Sequence, residues 1–278
     1  MKTILFKIFS VLVIALISFG CSKEVPLENA FEPKVLVYGN INTELVESYV
    51  SVTIRETVPV TSKEVKTIST AKLKLYSKDI NEITSLVTDE FVFDTSAKRY
   101  DTREKIRPIT GNSYWLEIEL SDGTILESIP EKVAPSVEIV DITKKDNKTK
   151  VTFKDPLEKG DFYVIFFYLT GQNGSILSSQ RNITNDELFE NGLGFSVIDN
   201  SGQTAEVRVM NVDFYTYKFM KNVEAQNSAL ATDGDNPFSQ FFATPPTNLE
   251  GNIINKQTGE RALGFFGIFN STTKTKNF

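Results

Sequence analysis

The chain has 278 residues, enough for one large or two modest domains, and its 21 Phe and 9 Tyr supply the aromatic area that β-sheet cores use. With 40% hydrophobic and 24% charged residues it reads as globular, and its formal charge of −6 argues against a nucleic-acid partner, which needs a basic face to neutralise phosphates. There is no histidine, which excludes a Ser-His-Asp or Cys-His catalytic set, a zinc-protease helix motif and any His-ligated metal.

Lys2 and Lys7 form a short positive region, residues 8–17 an apolar one, and Ser18, Phe19 and Gly20 precede Cys21, the only cysteine. This order resembles a bacterial lipoprotein signal, with Ser18 at a position where Leu is usual. An ordinary secretory signal and an uncleaved anchor are the alternatives, but the apolar run is short of the roughly 20 residues a membrane span needs. The expectation is a signal peptide over residues 1–20 and lipidation at Cys21, making that residue a membrane lipid anchor. Several acyl chains, at about 0.8 kcal/mol per buried methylene, hold a domain far more firmly than one. Losing Lys2 and Lys7 would take the formal charge from −6 to −8. Residues 21–33, with Pro26 and Pro33, read as a lipidated tether.

Strand patterns begin at Lys34. Val35, Leu36 and Val37 form a run closed by Gly39, and Val50, Val52 and Ile54 alternate toward one face. Residues 71–76 alternate with Lys72 and Lys74 on the wet side, and residues 91–94 and 99–100 make two shorter candidates. Tyr114, Leu116, Ile118 and Leu120 share one face, and Asp122-Gly123 then turns the chain into residues 125–129, because glycine reaches positive φ at no steric cost. The spacing predicts an immunoglobulin-like or transthyretin-like β-sandwich over residues 34–130.

Pro130 and Pro135 bracket a crossing into a second β-rich domain with one packed helix, residues 131–278. Residues 137–140 and 148–153 flank Asp146-Asn147 as a hairpin, and residues 162–169 are apolar at almost every position, as in a strand buried on both faces. Residues 171–204, rich in Asn, Gly and Ser, read as an excursion between strands with a short turn at 186–189. Residues 205–210 alternate again. Asp213 caps a helix running to Leu230, residues 251–253 and 262–269 give the last strands, and the tail from Asn270 reads as loose.

Taken together, these features resemble a family of Bacteroidota lipoproteins catalogued as domain of unknown function 4249. The resemblance runs through Cys21 followed by Lys23-Glu24, the opening strand Val37-Tyr38-Gly39-Asn40-Ile41, and Gly111 to Ile118 with Asp122-Gly123. It continues in the Tyr215 and Tyr217 helix, the Pro237 and Pro245-Pro246 loop, and Gly264-Phe265-Phe266, where the family's ending usually carries a tyrosine. It implies an outer-membrane-anchored, two-domain β protein whose genes often neighbour those of TonB-dependent receptors, and it carries no catalytic residues over. Lys23-Glu24 also resembles the charged signal that directs such lipoproteins to the cell surface.

Asp233, Asp235 and Asn236 offer oxygen ligands to calcium, but the segment lacks the rest of a helix-loop-helix site and reads more readily as a turn. Phe238, Phe241 and Phe242 lie together on a proline-rich loop, either as core or, if exposed, as an aromatic anchor for a partner. No cofactor motif or metal-ligand set stands out. The functional expectation is a non-enzymatic accessory or ligand-binding lipoprotein of the outer membrane, working with a TonB-dependent receptor. A structural or adhesive surface protein is the alternative. A glycan-active enzyme would need two facing carboxylates about 5–9.5 Å apart.

Overall fold

The computed structural model describes residues 32–42, 48–58, 66–156, 159–171, 176–199, 202–231 and 249–278. The N-terminal half contributes β1 (Val35–Asn42), β2 (Ser51–Glu56), β3 (Lys66–Thr67), β4 (Lys72–Lys78), β5 (Thr84–Thr88), β6 (Phe91–Asp94), β7 (Arg99–Thr102), β8 (Ser113–Glu119), β9 (Ile125–Ser128) and β10 (Glu131–Lys132). There follow β11 (Ile139–Lys145), β12 (Lys148–Lys154), β13 (Phe162–Thr170), β14 (Ile176–Asn185), β15 (Leu193–Asp199), β16 (Thr204–Val212), helix α1 (Phe214–Ala231), β17 (Glu250–Asn255) and β18 (Arg261–Asn277). The fold is therefore mainly β, as the alternating patterns predict.

Fifteen strands join in one sheet whose main path runs β5-β4-β8-β9-β17-β18-β1-β2-β7-β6. Every pairing is antiparallel except β1 with β18, where Val37 lies opposite Gly264. This sheet curls until strands from both ends of the path share one core of Val37, Val52, Leu75, Tyr100, Leu116 and Phe266. Across the near-closure the Ala71 amide, just before β4, donates to the Tyr100 hydroxyl of β7 at 2.9 Å. Pro33–Phe278 forms one compact unit. β18 explains why, since it pairs β1 and β17 along its first half and β16 along its second.

β13 occupies the centre of the second half. On one face Tyr163, Ile165 and Phe167 meet the separate sheet β11-β12-β15 through Ile142, Phe153 and Ile198. On the other, Val164 joins Met210, Phe219 of α1 and Phe265. The uniformly apolar run of residues 162–169 thus has two covered faces, as expected. The Asp146-Asn147 hairpin also forms, with φ of 50° and 58°, both residues taking the left-handed conformation that a two-residue turn requires. Gly123 turns β8 toward β9 at φ 86°.

Two expectations are corrected. Residues 171–204 are not an irregular excursion: β14 pairs β13 from Ile176 to Asn185, and β15 pairs β12 from Leu193 to Asp199. Polarity alone does not make a segment irregular, because the backbone bonds of both strands are satisfied by their neighbours. Nor is the tail loose. Residues 270–277 extend β18 along β16, with Thr204 opposite Asn277, and Thr272, Thr273 and Thr275 are β-branched residues that suit an extended strand.

Candidate functional site

β13 begins where β16 ends, because the two run antiparallel with Phe162 opposite Val212 and Tyr163 opposite Asn211. Asp213 follows directly and accepts the Tyr215 amide at 2.9 Å, capping α1 as the sequence predicts. Burial holds its carboxyl above the usual carboxylate range. The segment crossing from β10 passes over this junction and leaves a cleft of about 650 Å³, lined in part by Lys132, Pro135, Lys159, Asp161, Asn211 and Asp213.

The cleft wall is tied together by side chains. Asn211, 1% exposed, donates from Nδ2 to the Pro135 carbonyl at 3.3 Å and to Asp161 Oδ1 at 3.4 Å. Asp186 Oδ2 accepts the Gly160 amide at 2.8 Å and the Asp161 amide at 3.2 Å. Lys159 Nζ donates to the carbonyls of Asp186 and Phe189, the latter at 2.7 Å. Behind them the Tyr163 hydroxyl donates to Asp155 Oδ1 at 2.5 Å. Burial raises Asp155, and the Asp186 charge adds to that; burial and the Asp155 bond raise Tyr163.

Asp155, Asp161 and Asp186 bring carboxylate oxygens within 4.8 Å of one another, the donor type that hard cations take. Yet Asp186 already accepts two amides and Asp155 a hydroxyl, so the same oxygens brace the turn before β13. Chemically the cleft offers two cations, Lys132 and Lys159, and two carboxylates, Asp161 and Asp213, beside an apolar wall. Asp213 is engaged as a helix cap and Asp161 accepts from Asn211, so both carboxylates also serve the fold.

Beneath the cleft lies a second polar cluster. Glu131 of β10 is fully buried; it accepts Asn252 Nδ2 at 2.7 Å, Thr216 Oγ1 at 3.0 Å and, at 3.4 Å, the Ile268 amide. Asn252 also donates to the Phe266 carbonyl at 2.6 Å and accepts the Phe266 amide at 2.9 Å. One carboxyl therefore links β10, α1, β17 and β18. Burial first, and the Asp213 charge second, push Glu131 well above the usual carboxylate range.

Comparison with known families decides the relationship: residues 23–275 match the model described as Domain of unknown function (DUF4249). The chain belongs to that family. No curated protein matches this DUF4249 chain. Among solved structures it is similar to the chicken interferon gamma receptor alpha chain, at 14% identity and TM-score 0.23, covering 66% of this chain and 90% of that one. It is also similar to a pullulanase complexed with maltotriose from Anoxybacillus sp. LM18-11, at 11% identity and TM-score 0.20, over 63% of this chain and 24% of that one. The calcium binding domain CBD12 of CALX1.1 gives 9% identity and TM-score 0.20, over 84% and 98%. Scores this low carry no argument about the DUF4249 fold or its role.

Cys21, Phe238, Phe241 and Phe242, together with Asp233 and Asp235, lie outside the described residues. Three Asn residues in glycosylation-like triplets have structural surroundings. Asn147 forms the hairpin turn, Asn182 donates to Ser196 Oγ at 2.7 Å, and Asn270 donates to the Ala134 carbonyl at 3.2 Å. The sequence reading passed over Asp155, Lys159, Asp161, Asn211 and Glu131. Asp155, Lys159 and Asp161 cluster just before the most apolar strand, a local signal that pointed to them. Asn211 and Glu131 join the site only through long-range pairing.

Proposed function

We propose that this chain is a Bacteroidota lipoprotein, anchored in the outer membrane through Cys21, that acts as an accessory or ligand-binding protein with a TonB-dependent receptor. The cleft at the β10, β13 and α1 junction carries the binding part of the reading, since a recess of about 650 Å³ with few convergent polar groups falls within the range of ligand sites. Its walls are braced by Asn211, Lys159 and Asp186, which favours a preformed site over one assembled on contact. The signal-like residues before Cys21 support the anchor. We read the two covered layers as sandwich-like, with residues 34–130 immunoglobulin-like or transthyretin-like.

The test is affinity purification of the lipidated protein, tagged at Phe278, from gently solubilised outer membranes, with mass spectrometry of what accompanies it. Recovery of one TonB-dependent receptor at near-equal abundance supports the reading. Recovery of the chain alone overturns the receptor partnership and moves the role to surface adhesion.

A further inference from the structure

Three aspartates converge where the chain enters β13. Carboxylate oxygens of Asp155, Asp161 and Asp186 lie within 4.8 Å of one another, and Asp155 and Asp186 are only 7% and 2% exposed. Asp155 Oδ1 holds the Tyr163 hydroxyl and Asp186 Oδ2 holds two amides, whereas Asp155 Oδ2 and Asp186 Oδ1 accept no hydrogen bond among the described residues. Lys159 is the cation acting on Asp155, and its Nζ is committed to the carbonyls of Asp186 and Phe189. One ammonium against three carboxylates leaves an excess of negative charge, which buried groups sustain only with a proton or a further cation.

A second observation, separate from the carboxylates, favours the cation. Asn211 on β16 is 1% exposed, its amide is aimed at Asp161 Oδ1 and the Pro135 carbonyl, and its Oδ1 is enclosed without any hydrogen-bond partner. Buried carbonyl oxygens left without a donor are rare in folded proteins. The two bonds of Nδ2, at 3.4 and 3.3 Å, are long for an N–H donor, so a half-turn about Cβ–Cγ gives up little and sets Oδ1 beside Asp161 and the Pro135 carbonyl. Oxygens gathered in that way have no proton between them, and a hard cation is the partner such a set takes.

We propose that Asp155, Asp161, Asp186 and Asn211 Oδ1 bind a calcium ion at the wall of the cleft. Two oxygens on opposite sides of one calcium ion, each at about 2.3–2.6 Å, span the distance over which these carboxylates gather, and calcium takes about six to eight oxygens in flexible geometry. Magnesium demands about 2.0–2.1 Å and keeps several waters, for which a site walled by buried side chains has little room. Asp161 and Asn211 line the cleft, which gives the ion its way in. The proposal rests neither on the receptor partnership nor on acylation at Cys21.

The experiment uses the full chain in a non-ionic detergent, stripped with a chelator and exchanged into metal-free buffer. Melting is followed without metal, with calcium and with magnesium, and terbium luminescence is excited through tyrosine, because Tyr163 bonds Asp155 directly. Calcium at about 10 mM, roughly a hundredfold above a Kd of about 0.1 mM, should raise the melting temperature by about 5–10 °C, with magnesium much less effective. Terbium should luminesce, and calcium should displace it. Asp161→Asn relieves repulsion among the carboxylates, so it should melt no lower than wild type without metal, yet weaken calcium binding about tenfold or more. Asn211→Asp should melt lower without metal and regain stability in calcium, a rescue that a purely hydrogen-bonding role of Nδ2 does not give. Melting indifferent to calcium, equal shifts with magnesium, no terbium signal, or an undiminished signal in Asp161→Asn would overturn the proposal, the first by assigning protons to the carboxylates. The receptor co-purification can fail while the calcium shift stands, and the reverse, so the two readings are tested separately.

Discussion

Replacing Glu131 by glutamine tests whether a buried carboxyl is kept protonated where β10, α1, β17 and β18 meet. The side chain is fully buried and its charged form loses hydration that three neutral donors only partly replace. Its folded pKa is therefore raised, with burial as the larger cause and Asp213 as the smaller. A protonated carboxyl can instead donate to Thr216 Oγ1, whose hydroxyl reverses its role. When the folded pKa exceeds the unfolded one, the native state holds the extra proton, so stability is fully present below the unfolded value and declines as pH rises toward the folded one. The decline is about 1.4 kcal/mol per pH unit for one group while that window lasts. Asp155 and Asp213 are raised in the same direction, so the wild-type curve sums several groups and only the difference between variants isolates Glu131. Urea unfolding at pH 5, 6, 7 and 8 would measure it (working points set on the order of the carboxylate-to-neutral window). Glu131→Gln keeps the shape and the Asn252 bond, so its stability should match wild type within about 1 kcal/mol at the acid end and exceed it increasingly toward pH 8. Parallel curves for the two proteins would refute the argument and mean that Glu131 is ionised in the fold.

Gly264 sits at φ 95°, and a Cβ there would lie 1.8 Å from the Val37 carbonyl oxygen, so Gly264→Ala should separate β1 from β18 and cost more than about 4 kcal/mol. Loss of a cooperative thermal transition is the expected readout. Phe153 is fully buried against Tyr163 and Phe189, with ring centroids 4.9 and 5.7 Å away, and Phe153→Ala should lose about 3–5 kcal/mol in urea unfolding. Asp141→Asn should leave urea-unfolding stability nearly unchanged despite the 2.8 Å contact with Lys276, because both partners are well exposed and solvent screens the pair. The slight difference should vanish as pH falls through the lowered Asp141 pKa, which the Lys276 bond sets. Asn147→Ala, at φ 58°, should cost about 1 kcal/mol or more, while Asn147→Gly should be close to neutral.

Local chemistry was readable wherever it followed a short period or a turn rule. Alternation located β2, β4, β8, β12 and β16 to within a few residues, Asp213 marked the start of α1, and Asp146-Asn147 marked its hairpin. Reading failed where polarity was taken for irregularity. β14 carries Ser179 and Gln180 at exposed positions, β15 buries Gly194 and Ser196 while its apolar side chains Leu193, Phe195 and Val197 face out, and β18 runs eight residues past its last apolar position, Phe269, because β16 satisfies its backbone. The candidate site was harder still. Asn211 lies far along the chain from Pro135 and Asp161, and Glu131 from Thr216, Asn252 and Ile268.

The amino-acid sequence by itself determined the class of the molecule: a β-rich, acidic chain without histidine, one helix with its cap, and the family to which residues 23–275 belong. These are local properties, set by side-chain period, by backbone preference and by residue inventory. Tertiary structure alone decided that β18 runs parallel to β1 and joins both halves, that the cleft opens where β10 crosses β13 and α1, and that Asp155, Asp161 and Asp186 gather beside Asn211. Each depends on which distant strands exchange hydrogen bonds. That choice is made by the burial of whole faces together, not by any single segment.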